Sequence, residues 1–128
     1  MPALKSPNLI ASFRNAFAGL EYALQTQRNA RIHLAITIVV LAFGLWLGLG
    51  LEQWCLIILA IGMVWMAELS NTVLENVVDL LRPEYDPVAR TAKDVKAAVV
   101  VVAGMAAVLI GLLVMGPELL VRLRNLFP

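Results

Sequence analysis

Between Glu68 and Asp79 the chain sets four polar side chains at helical spacing: Glu68, Asn71, Glu75 and Asp79. At about 100° per residue, Asn71, Glu75 and Asp79 fall at about −60°, −20° and +20° from Glu68. All four share one face about 80° wide, while Ser70 and Asn76 fall away from it. The stretch before them, WCLIILAIGMVWMA over residues 54–67, carries no charge. A row of carboxylates on a lipid-embedded helix is costly unless it faces protein, water or a ligand. An acid near the membrane interface can take a proton from a hydroxyl. Acids nearer water can hold a magnesium ion that carries a nucleotide. A lysine beside them, as at Lys93 with Asp94, can balance phosphate charge.

The composition demands a membrane setting for that row. The 128 residues are 61% hydrophobic and 15% charged, against roughly 25% charged in soluble proteins, and mean hydropathy is +0.84. The net charge of +1 gives no basic field for nucleic acid. One cysteine, Cys55, can form no intramolecular disulfide; it has no zinc-ligand company and reads as a small core hydrophobe. The length suits one domain over residues 1–128. No cleavable leader is read, because the first apolar run begins only at Leu34, after a charged stretch.

The elements that must position the row follow from periodicity. Ser6-Pro7 reads as an N-cap followed by proline at the first helical position. After it Leu9, Phe13, Ala16, Phe17, Leu20 and Leu24 recur at three- and four-residue spacing. That predicts an amphipathic surface helix over about residues 7–28. Leu34–Leu51 is uncharged and long enough to cross a bilayer core of about 30 Å with help from its flanks, giving a first span over about 31–51. Gly44 and Gly48 within it have the small-residue spacing that lets a helix approach closely. Glu52-Gln53 reads as a tight turn, and a second span runs over about 53–81 until Pro83 and Pro87 break it. A third span is expected over about 91–116, opened by a Thr91-x-x-Asp94 capping box and ended or kinked by Gly116-Pro117. The predicted class is an all-α integral membrane protein, with a surface helix plus three transmembrane helices.

Eight of the ten lysines and arginines fall on the N-terminal side of the membrane: Lys5, Arg14, Arg28, Arg31, Arg82, Arg90, Lys93 and Lys96. The positive-inside rule then puts the N-terminus in the cytoplasm and the Arg122, Arg124 tail outside. Arg28 and Arg31 read as anchors of that kind. Glu68 would lie about 22 Å along the second span, inside the core, and Asp79 about 39 Å along, beyond it. The row therefore climbs from lipid into cytoplasmic water. His33, the one histidine, reads as an interfacial or packed residue. Trp54 reads as a belt residue at the outer interface, Trp46 and Trp65 as packing.

These parts fit a kinase acting on a membrane lipid, with no P-loop and no protein-kinase signature. They also fit a small transporter or channel subunit, or a purely structural role. Transport predicts further polar residues along the spans, and residues 54–67 and 97–115 are almost wholly apolar.

The residues Glu68-x-x-Asn71-Thr72-x-x-Glu75-x-x-x-Asp79, then Glu84-Tyr85, then Ala92-Lys93-Asp94-x-x-Ala97-Ala98-Val99, resemble the prokaryotic diacylglycerol kinase family, which includes undecaprenol kinases. Ser12-Phe13-Arg14-Asn15-Ala16 and Arg28-Asn29-x-Arg31-Ile32-His33 fit it too, and the resemblance covers about residues 10–115. It implies a homotrimer in the bacterial inner membrane, with sites near the cytoplasmic face built partly by neighbouring subunits. It implies ATP with magnesium, and transfer of the γ-phosphate to a lipid alcohol.

Carried over by residue, Glu68 matches the general base, Asn71 a polar residue beside it, and Glu75 a metal-binding carboxylate. Asp79, Glu84, Tyr85, Asp86, Lys93 and Asp94 match positions around the nucleotide, as does Asn15 on the surface helix. Glu68 and Ala97 match the lipid site. One departure stands out. The family usually has a glutamate, which helps bind metal, where this chain has Gln27. An amide oxygen can ligate magnesium but brings no charge. Weaker metal affinity, reliance on Glu75 and the phosphates, or substitution by Glu21 would each accommodate it. Diacylglycerol is the first acceptor expected and undecaprenol the second, although the Arg-Asn-x-Arg-Ile-His stretch leans toward the undecaprenol branch.

Overall fold

The computed structural model describes residues 8–128, so the Ser6-Pro7 cap lies outside the described residues. Four helices follow one another: α1 Leu9–Thr26, α2 Arg28–Leu47, α3 Leu51–Leu81 and α4 Pro87–Leu126. No strand occurs among the described residues. α2, α3 and α4 are each long and apolar enough to cross a membrane. The chain is thus an all-helical membrane protein with three spans and one amphipathic helix ahead of them.

α1 is capped by Asn8, whose Oδ1 accepts from the Ala11 amide at 2.8 Å. It buries only Ala11 and Ala23, while Leu9, Phe13 and Phe17 stay exposed along the apolar stripe. Gln27 is the single joint between α1 and α2, with extended backbone. Its N–H donates to the Ala23 carbonyl and its own carbonyl accepts from the Arg31 amide. Arg31 does more than anchor: its guanidinium donates to the Leu24 and Gln25 carbonyls at 3.5 and 3.3 Å, closing the negative end of α1.

The turn between α2 and α3 is Gly48-Leu49-Gly50, not Glu52-Gln53, which lie inside the first turn of α3. Gly48 has φ +72°, the left-handed conformation that glycine adopts without cost. Its N–H reaches the Leu45 carbonyl and the Leu49 amide reaches the Gly44 carbonyl, the paired closure of a Schellman motif. Gln53 then accepts from the Gly50 amide at 2.8 Å and donates to Glu118 of α4 at 3.0 Å. The Gly44–Gly48 spacing therefore serves a turn and a side chain. Gly44 is buried where the Trp54 indole lies. Trp54 is half-buried there, in the first turn of α3. Around it Leu47, Leu49, Ile57, Val114 and Met115 form the apolar core at this hairpin end. Cys55 is exposed, because it stands about 160° around α3 from Ile57, off the packed stripe.

α4 begins earlier and ends later than the sequence predicts. Its cap is Asp86, whose Oδ1 accepts from the Val88 and Ala89 amides at 2.8 and 3.1 Å, with Pro87 at the first helical position. Thr91 is already one turn inside and donates to the Pro87 carbonyl. Pro117 removes one helical hydrogen bond without ending the helix. Two contacts hold the segment beyond it: Glu118 on Gln53, and Arg122 4.8 Å over the Trp46 ring. Trp46 itself stacks on Phe43, and the Trp65 indole donates to Thr37 across α2 and α3 at 3.0 Å. At 40 residues α4 is about 60 Å long, twice the hydrocarbon thickness.

A methyl group on Gly44 would meet Trp54 Cη2 at 2.8 Å and Leu49 Cδ1 at 3.1 Å. We expect Gly44→Ala to lower the detergent melting temperature, with overpacking of about 1–3 kcal/mol outweighing a helix-propensity gain of about 1 kcal/mol; an unchanged melting point would refute the tight seat for Trp54. The amides of Ala89 and then Val88, aided by Arg82, hold the Asp86 carboxyl below its usual value. A depressed folded pKa means that the cap stabilises α4 fully above the ordinary carboxylate range and loses it as pH falls through the lowered value. Asp86→Asn should keep the cap and flatten that acid dependence, whereas Asp86→Ala should speed amide exchange at Val88 and Ala89 at neutral pH.

Candidate functional site

The polar face of α3 is a gradient of burial. The side chain of Glu68 is 0% exposed, that of Glu75 37% and that of Asp79 57%. Glu68 sits among helices, and neither of its carboxylate oxygens has a hydrogen-bond partner among the described residues. A buried polar group without a partner costs roughly 1–3 kcal/mol, and a charged one more. The nearest charge-bearing group is His33 on α2, whose Nε2 lies 3.6 Å from Glu68 Oε2, within ion-pair range and beyond a hydrogen bond. His33 is therefore packed, beside the one fully buried acid among the described residues. It also closes one end of an apolar cavity of about 210 Å³ between α2, α3 and α4, lined by Thr37, Ile57, Ala60, Ile61, Val64 and Gly104 among others. Val64 is one turn from Glu68 on α3, and His33 is the residue that the cavity and the His33–Glu68 pair share; Glu68 itself does not line the cavity.

Outward from Glu68 the row is matched by α4. Lys96 Nζ donates to Asn71 Oδ1 at 3.1 Å and to Glu75 Oε2 at 3.3 Å. One turn further out, Lys93 Nζ donates to Asp79 Oδ1 at 2.5 Å. The antiparallel register does this: three residues forward on α4 match four residues back on α3, both close to one turn. Beyond the pairs, Asp79, Glu84, Tyr85, Asp86 and Lys93 line one open basin of about 320 Å³, with Arg82, Arg90 and Pro83. Five of the residues expected around a nucleotide therefore share a single depression. Its three acids and three bases sum to no net charge, and the Lys93–Asp79 and Arg82–Asp86 pairs take up two of each.

The other expected residues fall elsewhere. Asp94 is exposed inside α4, neither capping it nor lining the basin. Asp86 lines the basin but is committed to the α4 cap. Ala97 is exposed, and neither the cavity at His33 nor the basin includes it. Asn15 is exposed on α1. α1 meets α3 through Tyr22, whose hydroxyl accepts from Asn76 Nδ2 at 3.5 Å, off the face that carries the row. Gln27 is half-buried at the α1–α2 joint, and its side chain caps neither helix. Glu21 accepts from Gln25 within α1 at 3.0 Å. Sequence reasoning missed two residues. Lys96 was counted only as a positive-inside charge, though it stands one turn deeper than Lys93. His33 was legible only once α2 was placed against α3.

No cluster of three His, Cys, Asp or Glu residues able to hold a metal exists among the described residues. A magnesium ion that arrives on nucleotide phosphates needs only one or two carboxylates from the protein. Glu75, half-exposed between Glu68 and the basin, meets that smaller requirement; a resident metal cage does not fit.

Comparison with known proteins identifies the family. The family described as prokaryotic diacylglycerol kinase matches residues 14–115. A diacylglycerol kinase of Synechocystis is 41% identical over 116 residues, 90% of this chain and 66% of that protein. The chain thus spans just under two thirds of that relative. An undecaprenol kinase of Bacillus subtilis is 37% identical over 108 residues, 84% of this chain and 88% of that protein. The matched region runs from α1 through both polar helix faces, and the chain belongs to the prokaryotic diacylglycerol kinase family.

Proposed function

We propose that this protein is an ATP-dependent lipid kinase that moves the γ-phosphate to a membrane alcohol, with diacylglycerol as the first acceptor and phosphatidic acid as product. The observation that carries the reading is Glu68: buried, with no hydrogen-bond partner for either oxygen among the described residues, beside the His33 that lines an apolar cavity, and at the foot of a charged row leading to solvent. A lipid with one chain in the cavity would bring its headgroup hydroxyl toward the His33 end, beside Glu68. Glu68 takes the hydroxyl proton, the acceptor oxygen bonds to the γ-phosphorus, the bridging β–γ bond breaks, and ADP leaves. Catalysis is then positioning plus neutralisation of phosphate charge. Asn71 orients groups beside the base. Asp79, Glu84, Tyr85, Asp86 and Lys93 receive the nucleotide in the basin. Glu75 would hold a magnesium ion carried by the nucleotide, with the Gln27 amide oxygen as a neutral second ligand, and the ion would supply charge neutralisation at the phosphates.

The acidic end faces the cytoplasm in this reading, where ATP is, and the protein lies in the bacterial inner membrane with its N-terminus inside. The large apolar side chains left exposed along α2, α3 and α4 face lipid and further copies in a homotrimer. Asn15, Asp94 and Ala97, which the single chain leaves exposed, would contribute across such contacts. Undecaprenol is the second acceptor, supported by the more nearly full-length match to the Bacillus subtilis enzyme. A transporter is disfavoured by the almost wholly apolar lining of the cavity.

The test is label transfer from ATP in mixed micelles, with diacylglycerol and undecaprenol offered in parallel. We expect Glu68→Gln to lose at least about 10²-fold of the transfer rate, the scale of general-base catalysis, with the melting temperature equal or higher. A fully active Glu68→Gln variant would remove Glu68 as base, and no label in either lipid from the native chain would overturn both acceptors.

A further inference from the structure

Lys96 is the deepest cation on the polar face, and its position has a consequence for how the site holds phosphate. Its side chain is 11% exposed, against 42% for Lys93. It stands between Asn71 and Glu75, two oxygen ligands on consecutive turns of α3. Those oxygens are the kind that a hard divalent cation would take. An ammonium occupies the place instead. It has three N–H donors, two of which are used, and the third has no protein partner among the described residues. Burial of an ammonium is costly, and one neutral amide plus one half-exposed carboxylate compensate it incompletely. A dianionic phosphate would complete it.

The rest of the site is short of positive charge at this depth. His33 is the other group at the level of Glu68, and it is 18% exposed and beside the acid. Lys93, Arg82 and Arg90 belong to the basin further out. No resident metal cluster is available among the described residues. From this geometry we infer that Lys96 is a fixed cation of the phosphoryl-transfer site: its free N–H binds the phosphate nearest the acceptor, and its charge takes over part of the neutralisation otherwise left to metal. The inference rests on the kinase reading. It makes ATP binding partly independent of magnesium, with Glu75 serving both to seat Lys96 and to meet the nucleotide's ion.

The decisive experiment measures ATP binding to the full chain in detergent, by displacement of a fluorescent ATP analogue, with EDTA and then with magnesium. The native chain should bind ATP in EDTA. Lys96→Met should weaken that metal-free binding by roughly tenfold or more, the scale of one charge-assisted hydrogen bond. The same change should raise the magnesium concentration needed for half-maximal phosphate transfer. Lys96→Arg should retain metal-free binding. Glu75→Gln separates this role from a structural ion pair: it frees the ammonium and should leave metal-free ATP binding equal or tighter. If Lys96→Met and Glu75→Gln lose it alike, the pair is only structural. Native metal-free affinity and an unchanged magnesium midpoint in Lys96→Met would also overturn the inference. A native chain that binds ATP but phosphorylates no lipid would overturn the kinase reading, and the binding comparison would still decide Lys96. A native chain that binds no ATP under either condition would overturn both.

Discussion

A carboxylate held inside a membrane bundle with no hydrogen bond to it from the described residues sets the terms for the rest of this structure. Glu68 is fully buried and both oxygens lack hydrogen-bond partners among the described residues. Nothing in a folded protein keeps such a group for stability, since an apolar residue of similar volume would cost less. The bundle must therefore supply enough packing elsewhere to tolerate it. That packing lies at the opposite end, where Leu47, Leu49, Ile57, Val114 and Met115 close over one another and Trp54 lies against Gly44. The two ends divide the work. The hairpin end holds the helices in register, and the acidic end uses that register.

Register is the quantity that matters because both polar ladders depend on it. Gln53 bridges the start of α3 to Glu118 on α4, and Arg122 covers Trp46 of α2. With the far ends tied, an antiparallel α3–α4 pair brings Lys96 to Asn71 and Glu75, and Lys93 to Asp79. A slip of one residue would turn each lysine by about 100° away from its acid. The continuation of α4 through Pro117 has its reason here. The residues beyond the proline make the bridges, and those contacts offset the lost helical hydrogen bond.

The gradient along α3 also separates kinds of chemistry by dielectric. At Glu68 water is excluded, and any charge there interacts strongly with its neighbours. At Asp79 and in the basin around Tyr85 the groups are exposed and screened. A proton transfer belongs at the dry end, and exchange of a charged nucleotide belongs at the wet end. The joint at Gln27 adds the third component, directing α1 away from α2 so that its apolar stripe remains uncovered by the chain itself.

The amino-acid sequence by itself determined the class, the three spans and the common face of Glu68, Asn71, Glu75 and Asp79, because hydrophobic run length and helical phase are local properties of a chain. The family was legible for the same reason: its motif lies on two contiguous stretches. Helix limits were less so. Asp86 rather than Thr91 caps α4, and Gly48-Leu49-Gly50 rather than Glu52-Gln53 makes the turn, because several residues there could cap or turn and side-chain geometry chooses between them. Cys55 is exposed instead of packed because burial on a helix depends on which face meets a neighbour. Only the tertiary structure decided that His33 lies against Glu68 and that Lys96 enters the acidic row, since each contact joins helices far apart in the chain. Only it showed Glu68 to be unbonded, because the absence of a partner is a property of the whole surrounding shell and of no single segment.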